Sequence, residues 1–323
     1  MAQRTGIPLQ SVVAVSFSEL FGKQPTLEDA SSILRNYERT SVLVMLGKLS
    51  AVLKTWQVRP NFAADRDLAA RVFLDAGRRE FQQVTDDAQR AFFPRVAILA
   101  TARLALIVCP ATGEGIKTPL AAAHILKVCM MMNELVSPGG ADSTLEFVAH
   151  HLPYHNGFIA QRFQADMVRS LAMFEQAGGP SWANNGSLNF AAEFEQSVGL
   201  TPRRFAEFAV LVGSLYLPIT GASFIVDDPS LFLSRNHFSA TTLSTEQIDA
   251  FLSRTAKTDA ELAQWVSSRG DRPLSDTTVF QNVPLIRMPD GTFFCIDLAA
   301  LLDCSTRRAE ACIGPSPLEE LPS

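Results

Sequence analysis

Basic tracts, paired cysteines and long apolar runs are all missing from this 323-residue chain. Its lysines, at 23, 48, 54, 117, 127 and 257, stand singly, and 28 Lys plus Arg against 33 Asp plus Glu give a formal charge of −5. Nothing here can neutralise a run of phosphates, so nucleic acid is expected to bind only through a local patch, if at all. The five cysteines (Cys109, Cys129, Cys295, Cys304, Cys312) are odd in number, widely spaced and never in a CxxC pair. That excludes a disulfide scaffold and a zinc knuckle, and fits reduced thiols. The N-terminus, MAQRTGIPLQSVVAVSF, lacks the apolar core and the small-residue cleavage site of a signal peptide. Arg95 to Cys109 is strongly apolar, but Arg103 interrupts it and Pro94 and Pro110 bound it. A membrane span needs about 18 or more uninterrupted apolar residues, so this stretch reads as a buried helix. The expectation is a cytoplasmic, bacterial-type protein with no membrane contact.

Familiar catalytic motifs are missing too. Gly221-Ala222-Ser223-Phe224-Ile225 falls one glycine short of a nucleophile elbow, and there is no HExxH helix. Gly113-Glu114-Gly115-Ile116-Lys117-Thr118 has the flavour of a phosphate loop. However, Ile116 and Ala111 occupy the two positions that must be glycine, so it reads as a loop leading to an N-cap. A restriction-nuclease metal site needs an acidic residue two positions before a lysine. Here those positions hold Phe21, Leu46, Val52, Gly115, Ile125 and Thr255.

What is present is apolar and helical. Hydrophobic residues make up 47% of the chain and charged ones only 19%, ample for one or two packed cores. Thr26 and Asp29 form a capping box before a helical stripe through Leu27, Ala30, Ile33, Leu34 and Tyr37. A second stripe runs from Leu43 to Trp56, and a third stretch covers 63–93, divided at Gly77. Pro94 fits the first turn of the apolar helix that ends near Pro110. Thr118 and Pro119 are N-cap and N1 of a helix reaching Val136, where Pro138-Gly139-Gly140 stops it. Its Cys129-Met130-Met131-Met132 run reads as core filler.

Further helices are expected over 144–151, 156–177, 190–198 and from Thr201 towards Leu217, with a loop at 178–187. Ser244 with Gln247 and Thr258 with Glu261 are two more capping boxes. Val283–Arg287 and Thr292–Ile296 flank Met288-Pro289-Asp290-Gly291 and read as a hairpin with Gly291 at positive φ. A lone hairpin is only marginally stable in water, so it must dock on the helical body or on another chain.

The fold class expected is therefore mainly α: a multi-helix domain over 1–275, a β-hairpin and the start of a helix over 276–303, and an irregular tail over 304–323. The tail follows abruptly on the helix begun at Leu298, as if the chain stopped partway through a larger architecture.

The densest polar constellation is His150-His151-Leu152-Pro153-Tyr154-His155-Asn156. Imidazoles can ligate a metal or move protons near neutral pH. Yet adjacent histidines point apart on a helix, Pro153 ends it, and no carboxylate lies at useful spacing. His150, His151 and His155 are thus weak catalytic candidates in a segment that reads as a linker, and no metal or cofactor is expected. The paired arginines (Arg78-Arg79, Arg203-Arg204, Arg307-Arg308) read as solvated helix faces with acidic neighbours. The 22 Phe, against three Tyr and three Trp, favour core packing over base stacking.

Three segments together carry a resemblance. They are Ser143-Thr144-Leu145-Glu146-Phe147 leading into His151-Leu152-Pro153-Tyr154-His155-Asn156, the paired short helices from Phe238 to Val266, and Phe280–Arg287 with its Pro-Asp-Gly turn. Over roughly residues 25–303 the chain resembles the helical N-terminal part of large uncharacterised bacterial proteins, some of which continue into a restriction-endonuclease-like domain. The resemblance implies a component of a bacterial defence or mobile-element system. It transfers no catalytic residue, because this chain departs from the pattern at Cys304.

The function expected is a binding or scaffold module, with a protein partner or self-association through an apolar groove or a hairpin edge. The alternatives are a hydrolase or nuclease with a nonstandard metal site at the histidines, and a helical small-molecule pocket near the methionine run.

Overall fold

A computed structural model describes residues 13–55, 61–73, 90–136, 232–240, 242–270 and 272–301, with scattered positions between 192 and 212. The fold is mainly helical with a small three-stranded mixed sheet near the C-terminal end of the described residues. In chain order the described elements begin with β1 (Val13–Ala14), α1 (Phe17–Phe21), α2 (Leu27–Leu34), α3 (Arg39–Leu53) and α4 (Phe62–Phe73). Then come β2 (Arg90–Ala91), α5 (Arg95–Val108) and α6 (Pro119–Leu135), and, after a 3₁₀ turn at Arg235–Ala240, α7 (Thr245–Thr255). The last are β3 (Ala256–Lys257), α8 (Asp259–Ser268), α9 (Thr278–Asn282), β4 (Leu285–Arg287) and β5 (Phe293–Cys295).

The helix starts follow from their caps. Thr26, Ser244 and Thr258 each accept the backbone N–H three residues on, while Asp29, Gln247 and Glu261 reach back to the cap amide. Thr118 caps α6 with Pro119 at N1, where a missing N–H costs nothing. Pro94 sits one place further out than expected, as the N-cap of α5.

The central helix is α5, packed against α3, α6 and α8. Its direction relative to α6 is fixed by contacts at both ends. Cys109, just after α5, gives its Sγ–H to the Leu34 carbonyl, while Tyr37 meets His124 near the start of α6. At the far end Asn133 of α6 donates to the carbonyl of Phe92, just before α5. The two helices therefore run antiparallel. Met130, Met131 and Met132 are all buried in this core, as core filler should be.

The hairpin forms in the expected place, with Leu285 opposite Cys295 and Arg287 opposite Phe293, and Gly291 at φ 82° in the turn. Two pairings were not foreseen. β3 joins β4 in parallel, and β1 joins β2 in parallel. Two-residue strands carry no periodic signal, so hydrophobic alternation could not mark them. Residues 90–91, expected to be helical, lie in one of these strands, held by Phe92 and Phe93 amides that bond to α4 rather than continuing a helix.

The hairpin docks on the helical body, and both its edges are in use. β3 covers the outer side of β4, and Leu233 exchanges two backbone hydrogen bonds of 2.8 Å with Phe293 on the outer side of β5. The free hairpin edge expected as a docking strip is thus occupied by the chain itself. The expected helices at 144–151 and 156–177, the 178–187 loop and the 304–323 tail lie outside the described residues.

Candidate functional site

Buried polar groups are where this fold concentrates its chemistry, because burying a polar atom without a partner is costly. The most enclosed pair is Arg95, the first residue of α5, and Asp297, just after β5; their side chains are 2% and 1% exposed. The Arg95 Nε–H lies 3.1 and 3.0 Å from the two Asp297 carboxylate oxygens. Ser50 of α3 donates to the same carboxylate at 3.3 Å and exchanges a hydrogen bond of 2.7 Å with Thr55. Asp297 also accepts the Ala300 amide at 2.8 Å, so it is the N-cap of the helical turn that begins at Leu298. One carboxylate thereby ties α3, α5 and the segment after the hairpin.

A second enclosed carboxylate, Asp65 of α4, accepts the amides of Phe92 at 2.7 Å and Phe93 at 3.0 Å. It is 3% exposed. Burial pushes its carboxyl up to about 7, against the lowering effect of those two amides and of Arg66.

Arg103, midway along α5, is buried and donates to the carbonyls of Asp276 and Arg272, pinning the loop before α9. Burial holds its guanidinium below the usual value, with Asp276 opposing that shift and Arg272 adding to it. Asn133 uses one amide nitrogen to bind the carbonyls of Val15 and Phe92 at 2.7 and 3.0 Å, joining the two short parallel strands to α6. Glu134 beside it accepts from the Ser16 hydroxyl and the Ser18 amide.

The end of the body that holds the α5–α6 connection carries the half-buried polar groups. Tyr37 and His124 share a hydrogen bond of 2.6 Å between the phenol oxygen and Nδ1. Burial and the nearby Glu114 raise the phenol above its ordinary value. The connection is held by backbone bonds from Glu38 to Glu114 and from Arg39 to Pro110, both 3.0 Å, and by the Ser41 hydroxyl, which accepts the Ile116 amide. Arg39 adds a bond to the Cys109 carbonyl and an ion pair of 3.6 Å to Asp259 at the start of α8. Two large apolar side chains stand in water at this same end. Ile107, at the close of α5, is 49% exposed, and Leu120, at the start of α6, is 67% exposed.

These groups join chain to chain: an ion pair, N-caps, acceptors of backbone amides and donors to backbone carbonyls. Burial pushes the Cys109 and Cys129 thiols up to about 12 and raises that of Cys295 as well, so at neutral pH all three are held as unreactive S–H groups. Cys109, Cys129 and Cys295 should therefore stay unalkylated when the folded protein is treated with iodoacetamide at pH 8 and mapped by mass spectrometry. Rapid labelling of any of them would contradict this packing.

The sequence candidates His150, His151 and His155 lie outside the described residues. Among the described residues no three His, Cys, Asp or Glu side chains are grouped as a metal ion would require. Likewise, no described helix is long and apolar enough to cross a membrane. Sequence reasoning missed Arg95, Asp297 and Asp65. A signal for the first two exists: Arg95 opens an apolar helix, where a lone charge demands a partner, and Asp297 precedes Leu298 in N-cap position. Compared with family models, curated proteins and solved structures, the chain matches none of them.

Proposed function

We propose that this chain is a binding or scaffold module that serves a bacterial defence assembly, gripping a protein partner with the end of the body that carries the α5–α6 connection. The reading draws support from one observation above all, the exposure of Ile107 and Leu120 together at that end. Single exposed apolar residues are ordinary, but here two large ones flank one connection, at the close of α5 and the start of α6. The backbone between them is held to Glu38, Arg39 and Ser41, so the surface is presented in a fixed shape. Preorganisation of that kind lowers the ordering cost of association. The assignment to a defence assembly rests on the sequence resemblance over residues 25–303.

The test is a double substitution, Ile107→Glu with Leu120→Glu, in the full chain. Both side chains are exposed, so the stability should change by no more than about 0.5 kcal/mol per substitution, as is usual for surface positions. Capture of a partner from the native host, or association measured by light scattering, should fall at least tenfold, equivalent to about 1.4 kcal/mol. Unchanged capture and unchanged association by the variant would remove this face from the reading.

A further inference from the structure

We propose that the partner gripped by the α5–α6 connection is a second copy of this chain, docked about a two-fold axis so that Glu114 of each copy meets Lys117 of the other. This rests on the reading of that end as the binding face, and it names the occupant.

The chemistry of the face selects that occupant. Ile107 and Leu120 supply exposed apolar surface, and Val108 and Ile116 between them are only partly buried. The charged residues of the connection are one exposed anion, Glu114, and one exposed cation, Lys117. Their backbone is fixed, since the Glu114 carbonyl accepts the Glu38 amide and the Ile116 amide bonds the Ser41 hydroxyl. The Lys117 stem lies along Gly115, where an added Cβ would come within 3.3 Å of its Cε. Among the described residues neither Glu114 nor Lys117 enters an ion pair. Elsewhere on the same surface exposed charges pair within the chain: Lys23 with Asp29, Arg35 with Glu28, Arg235 with Asp249.

A partner that covers Ile107 and Leu120 also takes water from these two charges. Desolvating a charge is costly unless an opposite charge replaces the water. The occupant must therefore bring apolar surface, a cation opposite Glu114 and an anion opposite Lys117. The connection itself carries that set. In an isologous two-fold contact residue i meets residue j and j meets i, so two Glu114–Lys117 pairs form at once. Size sets the strength. A stable interface takes about 20–30 residues a side, more than the stretch from Ile107 to Leu120 supplies, so the pairing is weak and depends on concentration.

The experiment is sedimentation velocity of the full chain over a range of concentrations. The average mass should rise from 35.2 kDa towards twice that value. Glu114→Lys and Lys117→Glu each set like charges against each other, and each should weaken self-association about tenfold or more. Mixed together, these two variants should associate with one another about as well as the wild-type chain does with itself. The double variant, Glu114→Lys with Lys117→Glu, should regain self-association, because the swap restores both pairs. A foreign partner gives no such recovery. Both side chains are exposed, so the variants should keep the wild-type circular dichroism spectrum. A wild-type chain that stays at 35.2 kDa throughout, or a dimer indifferent to both reversals, overturns the self-pairing. If the Ile107→Glu, Leu120→Glu variant loses a captured protein while the wild type is monomeric, the face stands and the second copy falls. If that variant changes neither capture nor association, the face itself falls.

Discussion

Replacing Asp297 by alanine should cost about 3–5 kcal/mol and shift the urea midpoint sharply downward, because it removes one partner of an ion pair buried inside the protein. The loss has separable parts. The larger is the lost ion pair: Arg95 is 2% exposed, so solvent cannot take the place of the Asp297 carboxylate. The smaller is the N-cap, since the Ala300 amide loses its acceptor, at about 1 kcal/mol. Ser50 and Thr55 would keep their mutual bond, so they contribute little to the difference. A double-mutant cycle separates the charge from the cap. Arg95→Met with Asp297→Leu removes both charges and fills similar volume, so it should be more stable than Asp297→Ala despite changing more atoms. Asp297→Asn should fall between them, keeping an oxygen for the cap while leaving the guanidinium without its counter-charge. If the unfolding free energy of Asp297→Ala from urea denaturation lies within about 1 kcal/mol of wild type, the pair is not buried as described.

How much of this was written in the chain differs from element to element. Capped helices were readable because a cap is a local device: Thr26, Thr118, Ser244 and Thr258 need only the residue three positions on. The hairpin was readable for the same reason, its Pro-Asp-Gly turn lying between two apolar runs. The short parallel pairs were not. β3 pairs with β4 across two helices, α8 and α9, and β1 pairs with β2 across more than seventy residues, so nothing adjacent in sequence announces either. The polar sites divide in the same way. Tyr37 and His124, or Asp65 and Phe92, meet only through packing. Arg103 illustrates the limit: in the sequence it was simply the charge that broke an apolar stretch, whereas in the fold it clamps a loop through two carbonyls. The histidine segment stood out in sequence because its residues are neighbours, and it lies outside the described residues.

Gly47 presents the opposite kind of dependence, a place where nothing can be added. It lies in the middle of α3, where glycine costs about 1 kcal/mol relative to alanine in an ordinary helix. On an exposed face Gly47→Ala would therefore stabilise the protein. Here a Cβ would lie 2.3 and 2.4 Å from two ring atoms of Phe294 and 3.2 Å from the Cys295 carbonyl oxygen. The Phe294 ring is fully buried and packs near Phe232, with centroids 5.5 Å apart, so it cannot swing into water to make room. The helix has in effect given up a side chain to seat the hairpin.

Gly47→Ala should accordingly destabilise by about 1–3 kcal/mol, the usual cost of overpacking, and reverse the sign expected from helix propensity. The damage should be local to the docked sheet, seen as faster amide exchange at Ile286 and Phe294 than on α6. Adding Phe294→Leu should recover part of the loss, since the shorter side chain vacates the ring positions, giving a favourable coupling between the two sites. This contact also explains the register. A slip of one residue would turn Phe294 to the other face and leave the notch at Gly47 empty, so the glycine helps choose which of Phe293 and Phe294, both buried, meets α3. A variant Gly47→Ala as stable as wild type, with unchanged exchange at Phe294, would show that the ring does not occupy the notch.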